Sequence, residues 1–337
     1  MDSINVACVG VGYWGKNLVR NFYNLSDCEL KICCDLSSDN LAKVKEGYPG
    51  VSVTDRFDDV INDPTIDAVV IASPAPHHHR MAKQALEAGK HVYVEKPLTL
   101  NAEHARDLCE TADARDRTLM VGHLMEYHPA VGKLKELVDS GELGDIYYLY
   151  AQRLNLGIIR QDENAFWSLA PHDVSIALYL LGEEPDSVSA RGESFLQPGI
   201  EDVVFCNLRF PSGAMANIHV SWLDPHRSRQ VTLVGSEKMA VFNDIEATEK
   251  VRIYDKGVED AGYASYGDAL TLRQGDITIP RIEMVEPLRA ECAHFLNSIA
   301  TGNTPRSDGY DGLRVVRVLE AAEQSLANGG NPVELSK

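Results

Sequence analysis

Short apolar runs alternate with amphipathic stretches through the first third of the chain. The runs are rich in Val, Ile and Ala, and the stretches between them repeat apolar residues every three to four positions. This alternation is typical of parallel strands that are covered by helices on both faces. It predicts strands at 4–9, 30–34, 51–54, 68–72, 91–94 and 119–122, with helices near 13–23, 39–46, 78–88 and 102–113. Residues 1–123 are therefore predicted to form an α/β domain with a doubly wound parallel sheet.

The pattern changes from about residue 124. After a predicted helix at 129–140, strands follow one another with turn residues between them, at 146–153, 203–210, 214–222 and 230–234. Two helices return at 287–300 and 312–327. We predict a second, α+β domain over residues 124–337 with a large, mostly antiparallel open sheet. The prediction leaves open whether the C-terminal helices pack back on the first domain.

Composition and charge narrow the classes of function. The 337 residues include 32 Lys and Arg against 50 Asp and Glu, a formal charge of −18, so nucleic acid is not an expected partner. No apolar run reaches the roughly 18 residues that a membrane-spanning helix needs. We expect a soluble, cytoplasmic protein with no membrane partner. The seven cysteines lack paired CxxC spacing, which favours reduced thiols over disulfides or a zinc site.

A glycine-rich motif lies where the first predicted strand becomes the first predicted helix. In Gly10-Val11-Gly12-Tyr13-Trp14-Gly15 the first glycine suits a tight turn, the second lets a pyrophosphate approach the backbone, and the third packs helix against strand. Asp35 follows twenty residues after Gly15, where a carboxylate binds ribose hydroxyls and repels a 2′-phosphate. The motif predicts NAD as the cofactor. A merely structural glycine turn is the alternative, and NADP stays open if Lys43 or Lys45 folds back.

Two further segments carry candidate proton-transfer groups. Glu95-Lys96-Pro97 directly follows a predicted parallel strand, so Lys96 lies at the carboxyl edge of the sheet, where open α/β folds bind ligands. His172 opens an apolar helix after Pro171 and is a candidate proton acceptor for a secondary alcohol. For Lys96 the alternative is a solvated lysine in a loop. For His172 the alternative is that Asp173 caps the helix and His172 packs on it.

Three consecutive histidines, His77-His78-His79, resemble a metal tract. Successive side chains diverge, however, and Pro74 and Pro76 mark a loop that begins a helix. We therefore predict one histidine facing the cofactor, and we assign no metal.

Taken together, the motifs resemble the glucose-fructose oxidoreductase/inositol dehydrogenase (Gfo/Idh/MocA) family over essentially the whole chain. The resemblance rests on the segments 10–15, Ser73-Pro74 with His78, Glu95-Lys96-Pro97-Leu98, Pro171-His172-Asp173 and 286–318. It implies a Rossmann domain, a larger open antiparallel sheet that often mediates oligomers, and reversible oxidation of a sugar or cyclitol hydroxyl. We therefore expect a small-molecule sugar substrate and a homodimer or homotetramer.

The resemblance also implies roles for individual residues. Lys96 matches the catalytic lysine of the family and His172 its catalytic histidine. The implied cofactor contacts are Gly10, Gly12, Tyr13, Trp14, Gly15, Asp35, Ser73, Pro74, His78, Glu95 and Lys96. The implied substrate contacts are Tyr127, Arg153, Asn155, Arg160, Ser168, Asp173 and Arg227.

Within the family, the chain is most similar to the branch that oxidises UDP-N-acetylglucosamine at C3. The similar segments are 10–18, Asn155-Leu156-Gly157 and 167–173. The diphosphate of such a substrate needs cationic partners; the candidates are Arg153, Arg160, Arg227 and Arg229, with surface solubility as the alternative reading.

Ser168 stands where the family usually has an aspartate. A serine hydroxyl orients a sugar hydroxyl but supplies no negative charge to an imidazolium. Two other functions therefore stay open: a dehydrogenase of free sugars or inositol, and a non-catalytic NAD-binding regulator.

Overall fold

The computed structural model describes residues 3–157, 159–259 and 271–335. The chain divides into two compact units, each built from two separate segments. The first unit comprises Met1–Tyr127 and Val285–Arg317, and the second comprises His128–Met284 and Val318–Lys337.

The first segment alternates strands and helices as the hydrophobic pattern predicts. Its strands are β1 (Ile4–Val9), β2 (Cys28–Cys34), β3 (Ser52–Thr54), β4 (Ala68–Ile71), β5 (His91–Glu95) and β6 (Leu119–Gly122). Its helices are α1 (Gly15–Tyr23), α2 (Ser38–Gly47), α3 (Phe57–Ile61), α4 (His78–Glu87) and α5 (Ala102–Arg115), with 3-10 turns at Ala75–His77 and Leu124–Tyr127.

The rest of the chain supplies the second sheet and the terminal helices. It contains α6 (Pro129–Asp139), β7 (Ile146–Leu154), α7 (Ala165–Leu169), α8 (Pro171–Leu181), β8 (Ser187–Glu193), β9 (Val203–Arg209) and β10 (Met215–Ser221). It continues with β11 (Ser228–Gly235), β12 (Met239–Asn243), β13 (Val251–Glu259), β14 (Thr271–Thr278), α9 (Pro287–Thr301), α10 (Gly309–Ala327) and β15 (Val333–Glu334).

The six strands of the first unit form one parallel sheet in the order β3-β2-β1-β4-β5-β6. This order reverses between β1 and β4, and in doubly wound folds ligands bind outside the carboxyl ends of the strands at that point. The central strand β4 is buried at every position, which explains why its sequence is a continuous apolar run instead of an alternating one.

Helix α9 packs on this sheet although more than 160 residues separate it from β6. Phe295 of α9 makes edge-to-face contacts with Phe22 of α1, with ring centroids 6.4 Å apart, and with Tyr93 of β5, at 5.8 Å. All three rings are fully buried. Aromatic pairs of this kind contribute about 0.5–1.5 kcal/mol beyond the area that they bury. The C-terminal segment is thus part of the first unit's core.

The second unit contains a nine-stranded sheet in the order β14-β13-β12-β11-β7-β10-β9-β8-β15. Its neighbouring strands are antiparallel except for the parallel pair β7 and β10. Along β9, buried Val204, Cys206 and Leu208 alternate with exposed residues, which is typical of a sheet with one covered face. The predicted fold class, a Rossmann-type parallel sheet followed by a large, mostly antiparallel sheet, is confirmed.

Among the helices that the structure describes, none combines the length and the apolar character that crossing a bilayer requires.

Candidate active site

The glycine loop between β1 and α1 leaves room for a ligand at one of its three glycines. Gly10 has a φ of +82°, and a Cβ there would lie 2.6 Å from the Ser73 backbone nitrogen. A Cβ on Gly15 would lie 1.8 Å from the Gly10 carbonyl oxygen. Gly12 differs, because its nearest neighbour is the Asn40 side chain at 3.6 Å. Packing of the protein alone therefore requires Gly10 and Gly15, whereas Gly12 borders open space, as a loop that admits a pyrophosphate should.

Asp35, at the end of β2, holds the glycine loop in place. Its Oδ2 accepts a hydrogen bond from the Val11 backbone N–H at 2.7 Å, and its Oδ1 accepts one from the Ser37 N–H at 2.8 Å. Each carboxylate oxygen keeps a lone pair for a ribose hydroxyl. The next side chain, Leu36, is 91% exposed and offers an apolar surface at the same edge. The residues present fit NAD.

His78 lies between two loops of the first unit, and its contact with the cofactor stays a prediction. The side chain is buried, with Nδ1 2.8 Å from the Pro97 carbonyl oxygen and Nε2 2.7 Å from that of Ser73. Burial lowers the pKa of His78, and the two carbonyl contacts oppose that effect. The ring ties the loop after β4 to the loop after β5. His78 therefore positions the loop that follows Lys96.

Glu95 is also buried, and its contact with the cofactor stays a prediction. Its Oε1 accepts a hydrogen bond from Trp14 Nε1 at 2.5 Å, and its Oε2 accepts one from the Lys96 backbone N–H at 3.2 Å. Lys96 itself is half-buried at the carboxyl end of β5. Tyr13 and Trp14 are exposed on the glycine loop, Ser73 is half-buried and Pro74 exposed, so these predicted cofactor contacts lie at the same edge of the sheet.

In the second unit, His172 lies in the first turn of α8 and is half-buried, as is Ser168 in α7. Asp173, the next residue, forms a buried two-point ion pair with Arg153 of β7, at 2.7 and 3.0 Å. Burial lowers the pKa of Arg153, and the ion pair with Asp173 outweighs it and raises that pKa. The two side chains bind each other and hold the start of α8 on the sheet. Their substrate contacts stay predictions.

The other predicted substrate residues are spread over both units. Tyr127 belongs to the first unit and is buried, with its hydroxyl 3.0 Å from Ser307 Oγ; its substrate contact stays a prediction. Asn155 is half-buried at the end of β7, Arg160 is exposed and 3.3 Å from Glu163, and Arg227 is exposed before β11. The substrate roles of these last three stay predictions.

One buried cluster was missed by the sequence analysis. His123, Glu126 and Asp311 place ligand-type atoms within 4.8 Å of one another in the first unit. The His123 Nδ1 to Asp311 Oδ2 distance is 2.6 Å, whereas two ligands of one tetrahedral zinc ion stand about 3.3 Å apart. We therefore assign a hydrogen bond. Burial lowers the pKa of His123, and hydrogen bonds to Asp311 and Glu126 outweigh it and raise the pKa to about 10. No local pattern signals this cluster, because His123 and Asp311 are 188 residues apart.

The fold and the glycine loop define an NAD-binding oxidoreductase with a separate antiparallel domain. The chain matches "Oxidoreductase family, NAD-binding Rossmann fold" over residues 4–123 and "GFO/IDH/MocA C-terminal domain" over residues 131–241. It belongs to the Gfo/Idh/MocA family of oxidoreductases. The predicted family, the enzyme class and NAD as the cofactor are confirmed.

Relatives with different substrates resemble the chain to a similar degree. A myo-inositol 2-dehydrogenase of Thermotoga maritima is 27% identical, with 96% of each chain covered. A UDP-N-acetylglucosamine 3-dehydrogenase of Acidithiobacillus ferrooxidans is 28% identical, over 94% of this chain and 95% of the relative. A solved structure of the latter enzyme has a TM-score of 0.82 at 26% identity, covering 97% of this chain and 99% of that one. Overall identity therefore does not select the substrate.

Proposed function

We propose that the protein is an NAD-dependent dehydrogenase that oxidises a secondary hydroxyl of a nucleotide sugar. The substrate is UDP-N-acetylglucosamine or a related UDP-sugar. The hydroxyl on C3 is oxidised, and the product is the 3-keto sugar nucleotide. The observation that carries the nucleotide-sugar proposal is an excess of cationic side chains around β11 in the second unit. The similar relative from Acidithiobacillus ferrooxidans supports it.

Two of these cationic side chains are arginines on neighbouring strands. Arg229 of β11 lies opposite Arg153 of β7 in the antiparallel register, and like charges in that arrangement repel. Asp173 neutralises Arg153. Asp244 is 3.5 Å from Arg229 but also 4.0 Å from Lys250, so one carboxylate serves two cations.

The pKa of Arg229 reflects this environment. Burial lowers it first, and the charges of Arg153 and Arg227 lower it further. An anionic group bound beside Arg227 and Arg229 would relieve the repulsion, and a diphosphate suits the donor geometry of arginine. An uncharged cyclitol would not, which favours the nucleotide sugar in a chain whose formal charge is −18.

The proposed chemistry assigns one role to each proton-transfer residue. NAD, when bound, accepts the hydride that leaves the alcohol carbon. His172 accepts the proton of the substrate hydroxyl, since imidazole gains and loses protons near neutral pH. The proposed role of Lys96 is to donate a hydrogen bond from its ammonium to a substrate oxygen and to stabilise negative charge that develops there. Ser168 orients a neighbouring sugar hydroxyl.

The proposal is tested by following NADH absorbance with UDP-N-acetylglucosamine, other UDP-sugars, myo-inositol and free glucose. We expect reduction of NAD with a UDP-sugar. Turnover with myo-inositol alone would replace the proposal by an inositol dehydrogenase, for which the Thermotoga maritima relative is the precedent. NAD binding without turnover on any substrate would favour a non-catalytic regulator.

Replacing the lysine tests its role. Lys96→Met is expected to lower kcat by roughly 10²–10⁴-fold while NAD binding, measured by calorimetry, is retained. Lys133→Met on α6 is the matched control, because Lys133 pairs with Glu136 of the same helix and has no role in the proposed reaction. Full turnover in Lys96→Met would remove the lysine from the mechanism.

A further inference from the structure

Three glutamates of the first unit are buried close enough for their charges to interact, and one of them directly precedes Lys96. Glu95, Glu126 and Glu291 are 8%, 1% and 0% exposed. In the part of the chain that the structure describes, neither carboxyl oxygen of Glu291 has a hydrogen-bond partner, and Glu126 has only a long contact of 3.4 Å between its Oε1 and His123 Nδ1. Buried carboxylates without donors cost several kcal/mol if ionised, so these groups cannot all carry charge at neutral pH.

The hydrogen bonds identify which of the glutamates carries the charge. Both oxygens of Glu95 accept from N–H donors, those of Trp14 and Lys96, and an ionised carboxylate suits two such donors best. Burial raises the pKa of Glu291 well above the ordinary value, the charge of Glu95 adds to the effect, and Tyr93 opposes it. Burial also raises the pKa of Glu95, but hydrogen bonds from Trp14, Lys96 and Tyr93 oppose that rise. Two such neighbours share one negative charge, which here rests on Glu95.

The Glu95 carboxylate also packs against the backbone of β6. Gly122 is its register partner across the parallel pair β5 and β6. A Cβ on Gly122 would lie 3.0 Å from Glu95 Oε2 and 2.8 Å from the Tyr93 hydroxyl. The carboxylate therefore occupies space that a side chain at position 122 would fill. From there it binds both the Trp14 indole and the Lys96 backbone N–H.

We propose that Glu95 is a positioning residue that couples the glycine loop to Lys96 through Trp14, and that Glu291 holds a proton so that Glu95 keeps the negative charge. The proposal rests on the reaction role of Lys96 proposed above. The Glu95 carboxylate accepts from Trp14 of the glycine loop and from the Lys96 backbone N–H, so a shift of the glycine loop on cofactor binding would be passed to the backbone of Lys96. The charged or titratable groups that interact with Glu95 are Tyr93 and Lys96 from its own segment and Glu291 and Cys292 from α9, and Glu291 interacts in turn with His123 and Glu126.

The first test replaces the carboxylate by its neutral isostere. Glu95→Gln keeps the volume but loses one acceptor oxygen, so we expect kcat to fall between about tenfold and a hundredfold with a smaller change in KM for NAD. Glu291→Gln keeps a neutral group in place and is expected to retain wild-type kcat. Glu136→Gln, an exposed carboxyl on α6, is the matched control. Wild-type kcat in Glu95→Gln would overturn the proposal.

A spectroscopic readout separates this proposal from the proposed function. The chain has three tryptophans, Trp14, Trp167 and Trp222, and subtracting the emission of Trp14→Phe isolates the signal of Trp14. That signal is expected to change as Glu95 is titrated and as NAD binds, and to lose its pH response in Glu95→Gln.

Because fluorescence needs no turnover, it tests the Trp14–Glu95 link even if no nucleotide sugar is oxidised. Trp14→Phe also tests the link if Glu95→Gln fails to fold: we expect it to lower kcat as Glu95→Gln does. A Trp14 signal that ignores both pH and NAD, or unchanged kcat in Trp14→Phe, would contradict the coupling.

Discussion

At the scale of single residues, the buried polar groups of the first unit act as fixed supports. His78 bridges two carbonyl oxygens, Glu95 binds two N–H donors, and His123 donates to Asp311. Each of these side chains is more than nine-tenths buried, where an unpaired polar group costs about 1–3 kcal/mol. The contacts of His78 and Glu95 fix the conformation of the segment that contains Lys96.

Glu126, unlike these paired side chains, lacks a close hydrogen-bond donor among the described residues, and its titration affects the stability of the protein. Burial and the charge of Asp311 raise the pKa of Glu126 from 4.5 to about 8. Between these values the folded state binds more protons than the unfolded state, so the free energy of unfolding falls as pH rises. The stabilising contribution of His123 is complete below 6.5 and is lost as pH rises through about 10.

Glu126→Gln is therefore expected to stabilise the protein at alkaline pH. The neutral amide removes the proton uptake on folding, and we expect the variant to gain roughly 1–3 kcal/mol relative to the wild type between about pH 5 and pH 9. Urea unfolding at both pH values measures the change. An equal difference at the two pH values would show that Glu126 does not titrate in this range.

At the scale of elements, short polar contacts join segments that the hydrophobic pattern treats separately. The ion pair of Arg153 and Asp173 ties the first turn of α8 to β7, and His172 lies in that turn. Asn101 accepts from the His104 N–H at 2.8 Å and begins α5. The elements α3, α7, β8 and β12–β15, which span two to nine residues, were not predicted from the hydrophobic pattern.

Breaking the ion pair tests the link between β7 and α8. Asp173→Asn leaves the buried Arg153 without a counter-charge, and we expect a loss of about 3–5 kcal/mol of stability. The double variant Arg153→Met/Asp173→Leu replaces both charges by apolar groups and is expected to recover most of it. Chemical denaturation of both variants measures the difference. Equal losses in the single and double variants would mean that the pair's charges do not compensate each other.

At the scale of the whole molecule, ligand binding and stability are linked. NAD at a hundred times its Kd should raise the free energy of unfolding by about 2.7 kcal/mol. NADP should stabilise less at the same concentration, because the Asp35 carboxylate repels a 2′-phosphate. Thermal unfolding with each nucleotide measures the difference. Asp35→Asn is expected to narrow it, and equal stabilisation of the wild type by both nucleotides would refute the predicted preference. The oligomeric state and the cytoplasmic location stay predictions.

The sequence by itself determined the two classes of sheet, the glycine loop with Asp35, and the place of Lys96 at the end of β5. These features are local: hydrophobic periodicity reports how each element is buried, and the glycine motif lies within one strand–helix junction. Only the tertiary structure decided the partners of His78, Glu95, Tyr127, Arg153 and Asp173, and only it placed α9 in the core of the first unit. These contacts join residues far apart in sequence, so they depend on the path of the chain and leave no periodic signal.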